Sequence, residues 1–408
     1  MSQPFPMTGS PGDRSIDPTS ADQAPVDESG LFGAPPAQRL LFVSSVTEGG
    51  SGRSQRELAA ALVEQGRDVR FLVDAGDASR PRRRLLEELT DAAVRFDGTP
   101  FGRPVDRIRR RIGARTRTRH IEGLHHEATI APENAFERKV REWRPDVVVV
   151  SSISRVTWRR IRAVCRRRAI PTALYLREAP AIGHLTAGLH ADLLLANSGT
   201  LVDDARRLGW RAELIPSVVR VRPMARPPSG EVLLVVNPLA SHGVHVVGPL
   251  AASRPDIPVV LQESWSLDAG QRAEVDRLVR AHSNVTFRAF DPRPGLLFRD
   301  AKVLLAPHQV DNRPRTVLEA QANGLPVVAS DLPGLVEAVG DGGTLVPVDA
   351  GPERWVRAVA RIWDDPGHCM NLSDRARIHA GRPEVRPERV ASRFGDLVDR
   401  LVVDVLAT

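Results

Sequence analysis

The chain has 408 residues, of which 42% are hydrophobic and 26% charged, so it is long enough for two domain cores and is not disordered throughout. Its two cysteines, Cys165 and Cys369, lie far apart and outside metal-ligand spacing, which excludes a disulfide framework and a structural zinc site. The net charge of +7 comes from arginine, because Lys139 and Lys302 are the only lysines among 57 basic residues.

The N-terminal segment comes first along the chain. Residues 1–37 are rich in Pro, Ser, Gly and Asp without hydrophobic periodicity, which predicts a disordered tail. This segment has neither the basic nor the apolar region of a signal peptide. No stretch of the sequence reaches the roughly 18 apolar residues of a membrane span, so we expect a cytoplasmic protein.

Short apolar runs alternate with helical stretches from residue 38 onward. In the first half the predicted helices are 54–65, 158–168 and 200–208, and the predicted strands are LLFVSS, DVRFLVD, PDVVVVSS, IPTALYL, DLLLAN and AELIPSVV. In the second half the helices are 244–253, 269–282 and 315–323, and the strands are EVLLVVN, IPVVLQ, NVTFRAF, AKVLLAP, LPVVAS and GTLVPV. Continuous Val, Leu and Ile runs indicate parallel strands covered by helices on both faces.

This alternation predicts an α/β protein with two Rossmann-like, doubly wound domains that face a central cleft. The first domain spans 38–222, a proline-rich linker spans 223–230, and the second domain spans 231–386. Residues 387–408 predict a helix that crosses back to the first domain. Ligands of such sheets bind beyond the carboxyl ends of the strands, so the cleft is the expected active site.

One segment carries the basicity of the chain. Residues 82–119 hold twelve arginines and five acidic residues, and PVDRIRRRIG within them predicts a short helix with Val105, Ile108 and Ile112 on one face. Two interpretations stay open: residues 104–119 contact an anionic membrane surface on its inner face, or they form a solvated insertion that packs on the domain. Nucleic-acid binding is not expected, because aromatic residues make up only 4% of the chain and offer few stacking platforms.

The stretch 311–339, DNRPRTVLEAQANGLPVVASDLPGLVEAV, carries the most specific chemical pattern. The helix predicted to begin at Arg315 has free N–H groups and a dipole that favour a diphosphate at Arg315 and Thr316. Glu319 lies one turn further on the same face, where its carboxylate can accept hydrogen bonds from a ribose diol. Asp311, on the preceding loop, can accept from sugar hydroxyls. The alternative is that Glu319 is an exposed helix carboxylate and Asp311 a turn residue.

This stretch resembles the nucleotide-sugar signature of the large group 1, or family 4 type, retaining glycosyltransferases. In that signature two acidic residues, here Asp311 and Glu319, are separated by seven others and followed by Gly-x-Pro-Val. The resemblance implies the GT-B fold and transfer of a sugar with retention from a nucleotide donor held mainly by the C-terminal domain. It also implies that neither a metal, a cofactor nor a covalent nucleophile is needed. The acceptor is not identified by the resemblance; a glycan is one candidate, and membrane contact through residues 104–119 would favour a lipid-linked glycan.

Other segments resemble the same family. Four small residues after the first strand look like its glycine-rich loop, which would face a phosphate or the acceptor: Gly49, Gly50, Ser51 and Gly52. NVTFRAF is similar to the stretch whose backbone meets the nucleobase, near Arg288 and Phe290. LYLREAP places Arg177 and Glu178 at acceptor-side positions, with a structural ion pair between them as the alternative.

The sequence departs from the family at the departing diphosphate. The family places an Arg and a Lys there, whereas VVNPLASHGV has Asn237 and His242. Histidine is cationic only below a pKa of about 6.5 unless an anion stabilises its charge. Asp311 is also one methylene shorter than the usual Glu. Two functional hypotheses follow: a retaining glycosyltransferase, or a catalytically silent relative that binds nucleotide sugar or glycan as a partner or scaffold.

Overall fold

The computed structural model describes residues 37–45, 49–74, 115–177, 191–220, 230–291 and 297–407, together with residue 183 and isolated residues between 85 and 111. Several features predicted from the sequence lie outside these residues: the tail 1–37 except Ala37, the linker 223–230 except Gly230, Glu178, and much of the basic helix within 104–119. Among the described residues, no helix combines the length and the apolar character needed to cross a membrane.

The first sheet has eight strands among the described residues, in the order β3-β4-β2-β1-β5-β6-β7-β8. These strands are β1 (Arg39–Ser44), β2 (Asp68–Asp74), β3 (Arg117–Ile121), β4 (Leu124–Thr129), β5 (Val147–Ser151), β6 (Thr172–Leu176), β7 (Leu193–Ala196) and β8 (Ala212–Leu214). The helices between them are α1 (Gly49–Glu64), α2 (Pro132–Trp143), α3 (Arg155–Arg167) and α4 (Gly199–Arg207). The β3–β4 pair is antiparallel, and the other described pairs of this sheet are parallel.

The second sheet is parallel, in the order β11-β10-β9-β12-β13-β14. Its strands are β9 (Val232–Val236), β10 (Val259–Gln262), β11 (Val285–Arg288), β12 (Ala301–Ala306), β13 (Val327–Ser330) and β14 (Gly343–Val346). The helices of this half are α5 (Val247–Ser253), α6 (Ala269–Ala281), α7 (Arg315–Ala322), α8 (Pro333–Val339), α9 (Pro352–Trp363), α10 (Pro366–Ala380) and α11 (Pro387–Leu406). The predicted doubly wound α/β class is confirmed.

The central strands are buried on both faces, which explains their continuous apolar runs. In β1, Leu40 and Phe42 belong to one core cluster, whereas Leu41 and Val43 belong to the cluster on the opposite face. The residues of β9 divide in the same way between two clusters of the second sheet. Successive strand side chains point to opposite faces, so a strand between two helical layers needs apolar residues at every position.

The last helix, α11, packs on the first sheet. The ring of Phe394 stacks on that of Phe42 with 5.9 Å between centroids. The carboxylate of Asp399 accepts two hydrogen bonds from the Arg67 guanidinium, each 2.8 Å long, and a third from the backbone N–H of Ala37, also 2.8 Å long. The C-terminal residues therefore complete the core that the first strand begins.

Several regions differ from the sequence-based interpretation, and the helices α2, α8, α9 and α10 were not predicted. The β3–β4 hairpin was not predicted, because β3 (RTRHI) is largely exposed and has no apolar alternation. Its two-residue turn, Glu122 and Gly123, has φ values of 53° and 79°. The predicted glycine-rich loop is also different: Gly49 to Gly52 form the first turn of α1, which begins five residues before its predicted start at Ser54.

Candidate active site

The cleft lies where the carboxyl ends of the second sheet meet the first turns of α1 and α7. It contains two adjoining cavities. The larger cavity, of about 670 Å³, is lined by Arg53, Gln262, Phe290, Thr316 and Glu319, among others. The smaller cavity, of about 380 Å³, includes the following side chains in its lining: Arg177, Asn197, Ser217, Asn237, His242, Asp311 and Arg313.

The cavities bring together most of the site residues predicted from the sequence. The predicted residues on the larger cavity are Gly49, Gly50, Arg288, Phe290, Arg315, Thr316 and Glu319. Those on the smaller cavity are Gly50, Ser51, Arg177, Asn237, His242, Asp311, Arg315 and Thr316. Gly52 is buried within α1 instead. Thr316 lies 267 residues from Gly49 in sequence, and the fold brings both to one cleft.

The helices α1 and α7 approach each other closely at their N-terminal ends. A Cβ atom on Gly50 would lie 3.4 Å from the Cβ of Arg315, which is an ordinary van der Waals distance, so the two first turns are close neighbours. Backbone N–H groups at a helix N-terminus lack intrahelical partners and carry the positive end of the helix dipole. Two such ends at one cleft favour an anion.

Four charged side chains connect α1 to α7. The guanidinium of Arg315, whose side chain is only 3% exposed, donates to Glu319 Oε1 at 2.7 Å, to Glu57 Oε1 at 2.6 Å, and to the carbonyl of Val218. Arg53 also contacts both carboxylates, Glu57 at 3.2 Å and Glu319 at 3.3 Å. We call this set the Arg53–Glu57–Arg315–Glu319 network. It balances two positive charges against two negative charges across the cleft.

The network affects which groups at Arg315 can contact the predicted phosphate. The Nε and both terminal nitrogens of Arg315 already donate to groups of the protein. A phosphate at this place would therefore meet the backbone N–H groups of α7 and the Thr316 side chain rather than the Arg315 guanidinium. The sequence alone gave no sign of Arg53 or Glu57, because these residues reach Glu319 only through the tertiary fold.

The end of β10 shapes the far wall of the larger cavity. The carboxylate of Glu263 accepts from the backbone N–H groups of Leu267 and Phe290, each at 3.0 Å. Gln262 Nε2 donates to the carbonyl of Ala289 at 3.0 Å. The Phe290 ring is left 48% exposed, so a flat aromatic surface borders the cavity. Sequence reasoning missed Gln262 and Glu263, although they immediately follow the buried run of β10.

The side chain of Arg288 lines the larger cavity but already has a charged partner. Both of its terminal nitrogens pair with the carboxylate of Asp300. The contact of the backbone near Arg288 with a nucleobase stays a prediction.

His242 lies on the smaller cavity. Its Nδ1 donates to the carbonyl of Asn237 at 3.0 Å, and its ring stacks on His308 with 4.3 Å between centroids. Burial lowers the pKa of His242, and hydrogen bonds to backbone carbonyls oppose this effect only in part. The His242 imidazole is therefore neutral at pH 7 unless an anion lies beside it.

Asn237 and Asp311 each hold a turn of the cleft. Asn237 is buried with a φ of 52°, and its Oδ1 accepts from the backbone N–H of Ser264 at 2.9 Å. Asp311 Oδ1 accepts from the N–H of Gly334, in the first turn of α8, at 2.8 Å. Burial raises the pKa of the Asp311 carboxyl, and the bond from Gly334 acts against that rise. Both side chains thus support the cavity wall as well as lining it.

The buried His308 predicts an acid-sensitive fold. Burial, helped by the nearby His242, lowers the pKa of His308 to about 3, whereas in an unfolded chain it is about 6.5. Between these values the unfolded state binds a proton that the folded state does not, so stability is complete above about pH 6.5 and falls as the pH drops towards 3. We expect His308→Gln to reduce this loss by up to about 1.4 kcal/mol per pH unit.

Urea unfolding at pH 7 and pH 5 measures this effect. His245→Gln is the matched control, because His245 is exposed. Equal acid sensitivity of the parent and His308→Gln would contradict the prediction.

No group of three or more His, Cys, Asp or Glu side chains within the described part of the chain is arranged to hold a metal ion. The described side chains and helix termini of the cleft define the contacts that it offers to a ligand. It can hold an anion between α1 and α7, accept hydroxyl hydrogen bonds at Glu319 and Asp311, and place a flat ring against Phe290.

Comparisons with known proteins agree with this arrangement. Residues 269–379 match the family model of glycosyl transferases group 1. A D-inositol 3-phosphate glycosyltransferase of Paenarthrobacter aurescens (strain TC1) is 32% identical over 143 residues, which are 34% of this chain and 35% of that relative. The match thus spans about a third of the length of the curated relative.

Two solved structures show the same fold. Sucrose-phosphate synthase from Thermosynechococcus elongatus has a TM-score of 0.68 at 16% identity, covering 89% of this chain and 99% of that chain. Anabaena HepE in complex with UDP-glucose has a TM-score of 0.67 at 14% identity, again covering 89% and 99%. The predicted GT-B fold class is confirmed.

Proposed function

We propose that this chain, whose resemblance to group 1 glycosyltransferases is confirmed over residues 269–379, transfers a sugar from a nucleotide-sugar donor to an acceptor hydroxyl. The observation that carries the proposal is the junction of α1 and α7 beside Glu319. It combines an anion site with a carboxylate at the spacing that a diphosphate and a ribose need. UDP-glucose in the structure of Anabaena HepE supports a nucleotide sugar as the donor class.

The donor would occupy both cavities. Its base lies against Phe290 and the backbone after β11, its ribose hydroxyls donate to Glu319, and its diphosphate lies at the N-termini of α1 and α7. In the free protein, the Arg53 guanidinium contacts Glu319 Oε1. The Arg53 side chain is 27% exposed and that of Arg315 is 3% exposed, so a ribose displaces Arg53 at the lower cost.

Transfer would then take place in the smaller cavity. The bond between the anomeric carbon and the phosphate oxygen breaks, and the acceptor oxygen bonds to the same face of that carbon. The acceptor proton passes to the departing phosphate. A diphosphate beside His242 raises the pKa of this residue, so the imidazole becomes cationic where charge develops. Asp311 holds a sugar hydroxyl. The proposal also includes retention at the anomeric carbon, independence of metals and of cofactors, and a glycan or lipid-linked acceptor.

A panel of UDP-, GDP- and ADP-sugars tests the proposal by thermal shift. A ligand that binds only the folded state at 100 times its Kd stabilises the protein by about 2.7 kcal/mol. We expect one nucleotide series to raise the Tm and the other two to have little effect. The absence of a shift with every donor would overturn the proposal.

The second candidate is a catalytically silent protein that binds the same ligands. It is favoured by the neutral His242 and by the two arginine contacts on Glu319 Oε1. Release of nucleoside diphosphate from the bound donor, with water as the acceptor, separates the two candidates. Release that exceeds the protein-free rate and falls in His242→Ala supports the transferase, and tight binding without release supports the silent protein.

Membrane contact through residues 104–119 and a location on the inner face of a membrane stay predictions. Six residues of this segment lie outside the described ones, and Arg117 and Arg119 stand on the exposed strand β3.

A further inference from the structure

An aromatic ring that the proposed function leaves unused lies in the smaller cavity. Trp265 follows β10 and is half-buried, and it lines this cavity together with His242 and Asp311. Phe290, which would meet the base, lines the larger cavity instead. A donor that fills both cavities therefore meets a different aromatic ring in each of them.

Hydrogen bonds hold the turn that carries Trp265. Just before the tryptophan, the backbone N–H of Ser264 donates to Asn237 Oδ1 at 2.9 Å. Glu263 Oε1 accepts from the backbone N–H of Leu267 at 3.0 Å, which closes the turn around the tryptophan. The backbone on both sides of Trp265 is thus fixed by the protein itself, so the ring needs little reordering to receive a ligand.

The indole of Trp265 meets the first half of the chain by an edge. A Cβ atom on Gly49, the first residue of α1, would lie 3.3 Å from Cε3 and 3.7 Å from Cζ3 of the indole. The ring of His242 stands at 79° to the indole, with 5.9 Å between centroids. Neither contact is a parallel stack, so these two neighbours do not use the stacking capacity of Trp265.

The distance to His242 relates Trp265 to the transferred sugar. In the proposed reaction, negative charge develops on the diphosphate beside His242, and the sugar is bonded directly to that diphosphate. A ring whose centroid lies 5.9 Å from that of His242 is within reach of this sugar. One face of a pyranose chair presents mainly C–H groups, which an aromatic face attracts by dispersion. Trp265 is thus placed for contact with the sugar rather than with the base.

We propose that Trp265 positions the transferred sugar by stacking its indole on the C–H face of a pyranose, and that the donor is a nucleoside diphosphate linked to a hexopyranose. This role deepens the proposed transferase function and rests on it. Stacking fixes the plane of the sugar ring and therefore the position of its anomeric carbon relative to the acceptor.

Two departures from the resembled family lie beside this ring. Asn237 and His242 stand where that family places an Arg and a Lys. Here Asn237 holds the turn of Trp265 through Ser264, and the His242 ring borders the indole. Two cations that would contact the diphosphate are thereby replaced by residues that support an aromatic ring. The donor would therefore be held more by its sugar and less by the charge of its diphosphate.

Titration calorimetry on the full chain compares a nucleoside diphosphate with its hexose conjugate: UDP with UDP-glucose, GDP with GDP-mannose, and ADP with ADP-glucose. The ratio of the two dissociation constants isolates the sugar, because the base, the ribose and both phosphates are shared. We expect Trp265→Leu to weaken the conjugate about five- to tenfold relative to the diphosphate. Trp265→Phe, which keeps an aromatic ring, should change this ratio by less than about threefold.

Trp363→Leu is the matched control and should leave the ratio unchanged. Trp363 is also half-buried, but it lies on α9, where the Lys302 ammonium is 4.8 Å from the centroid of its ring. Trp265→Gln is a second variant without a ring, in case Trp265→Leu does not fold, and it should lower the ratio to the same extent. A variant that does not fold loses both ligands, whereas loss of the sugar contact weakens only the conjugate.

Two results would overturn the role of Trp265. One is a ratio in the two variants without a ring that equals the ratio of the parent protein. The other is a ratio that Trp265→Phe lowers as much as Trp265→Leu does, since an aromatic ring would then not be the cause. If neither a diphosphate nor a conjugate binds to the parent protein, the transferase function itself fails, and the role of Trp265 fails with it.

Discussion

Replacing Glu319 with alanine is expected to weaken nucleotide-sugar binding roughly 10- to 100-fold and to lower the free energy of unfolding by about 3 kcal/mol. The loss of binding follows from removing the carboxylate that accepts from the ribose. The loss of stability follows because Arg315 is only 3% exposed and would keep its charge with Glu57 as the remaining carboxylate partner in the network. Titration calorimetry and urea unfolding measure the two effects separately.

Two variants separate these effects. Glu319→Gln keeps an oxygen that accepts from Arg315, so it should lose less stability than Glu319→Ala while still weakening the donor. Asp276→Ala removes a pair of the same kind, an arginine and a carboxylate four residues apart on a helix, but this pair is half exposed. Asp276→Ala should lower the free energy of unfolding by only about 0.3–0.5 kcal/mol. Unchanged donor affinity in both Glu319 variants would refute the ribose role.

The second large effect is expected at Gly243, in the turn that carries His242. Its φ is +73°, and a Cβ atom there would lie 1.8 Å from the carbonyl oxygen of Pro307. Gly243→Ala therefore adds backbone strain and a steric overlap with backbone that a rotamer change cannot relieve. We expect it to lower the free energy of unfolding by about 3–5 kcal/mol and to abolish the thermal shift by the donor.

Gly66 provides the control for backbone strain alone. Its φ is +87°, and a Cβ atom there meets nothing within 4 Å. Gly66→Ala should lower the free energy of unfolding by only about 1–2 kcal/mol and leave donor binding intact. If urea unfolding gave the two alanine variants equal stability, the close approach to Pro307 would not be the cause.

Most strands of both sheets could be predicted, because a strand that is buried on two faces has a continuous apolar run in its sequence. Residues of β1 and β9 are recognisable for this reason, since every side chain between two helical layers must be apolar. The strand β3 is different: its residues are mostly exposed, and its pairing with β4 depends on the turn at Gly123. The first turn of α1 was missed because glycine is a poor helix former, and contact with α7 outweighs that propensity there.

The site divides in a similar way. Asp311 and Glu319 could be predicted because their spacing and the following helix are local features. The contacts of Glu319 with Arg53 and of Arg315 with Glu57 could not, because each pair meets only in the folded chain; Glu57 lies 258 residues from Arg315 in sequence. The neutral state of His242 is likewise a result of burial against His308, which no local pattern contains.

The position of α11 affects how the protein is made. Ribosomes extend a chain at about 5–20 residues per second, so Phe394 of α11 is made well after Phe42, which lies 352 residues before it in sequence. Until Phe394 reaches Phe42, the first sheet exposes part of one apolar face, although all of its strands were synthesised much earlier. The second half can complete its own hydrophobic core before the first half does. The nascent first half therefore needs protection from aggregation. A stop codon before residue 387 removes α11 and so disables the first half, although most of the second half lies between them in sequence.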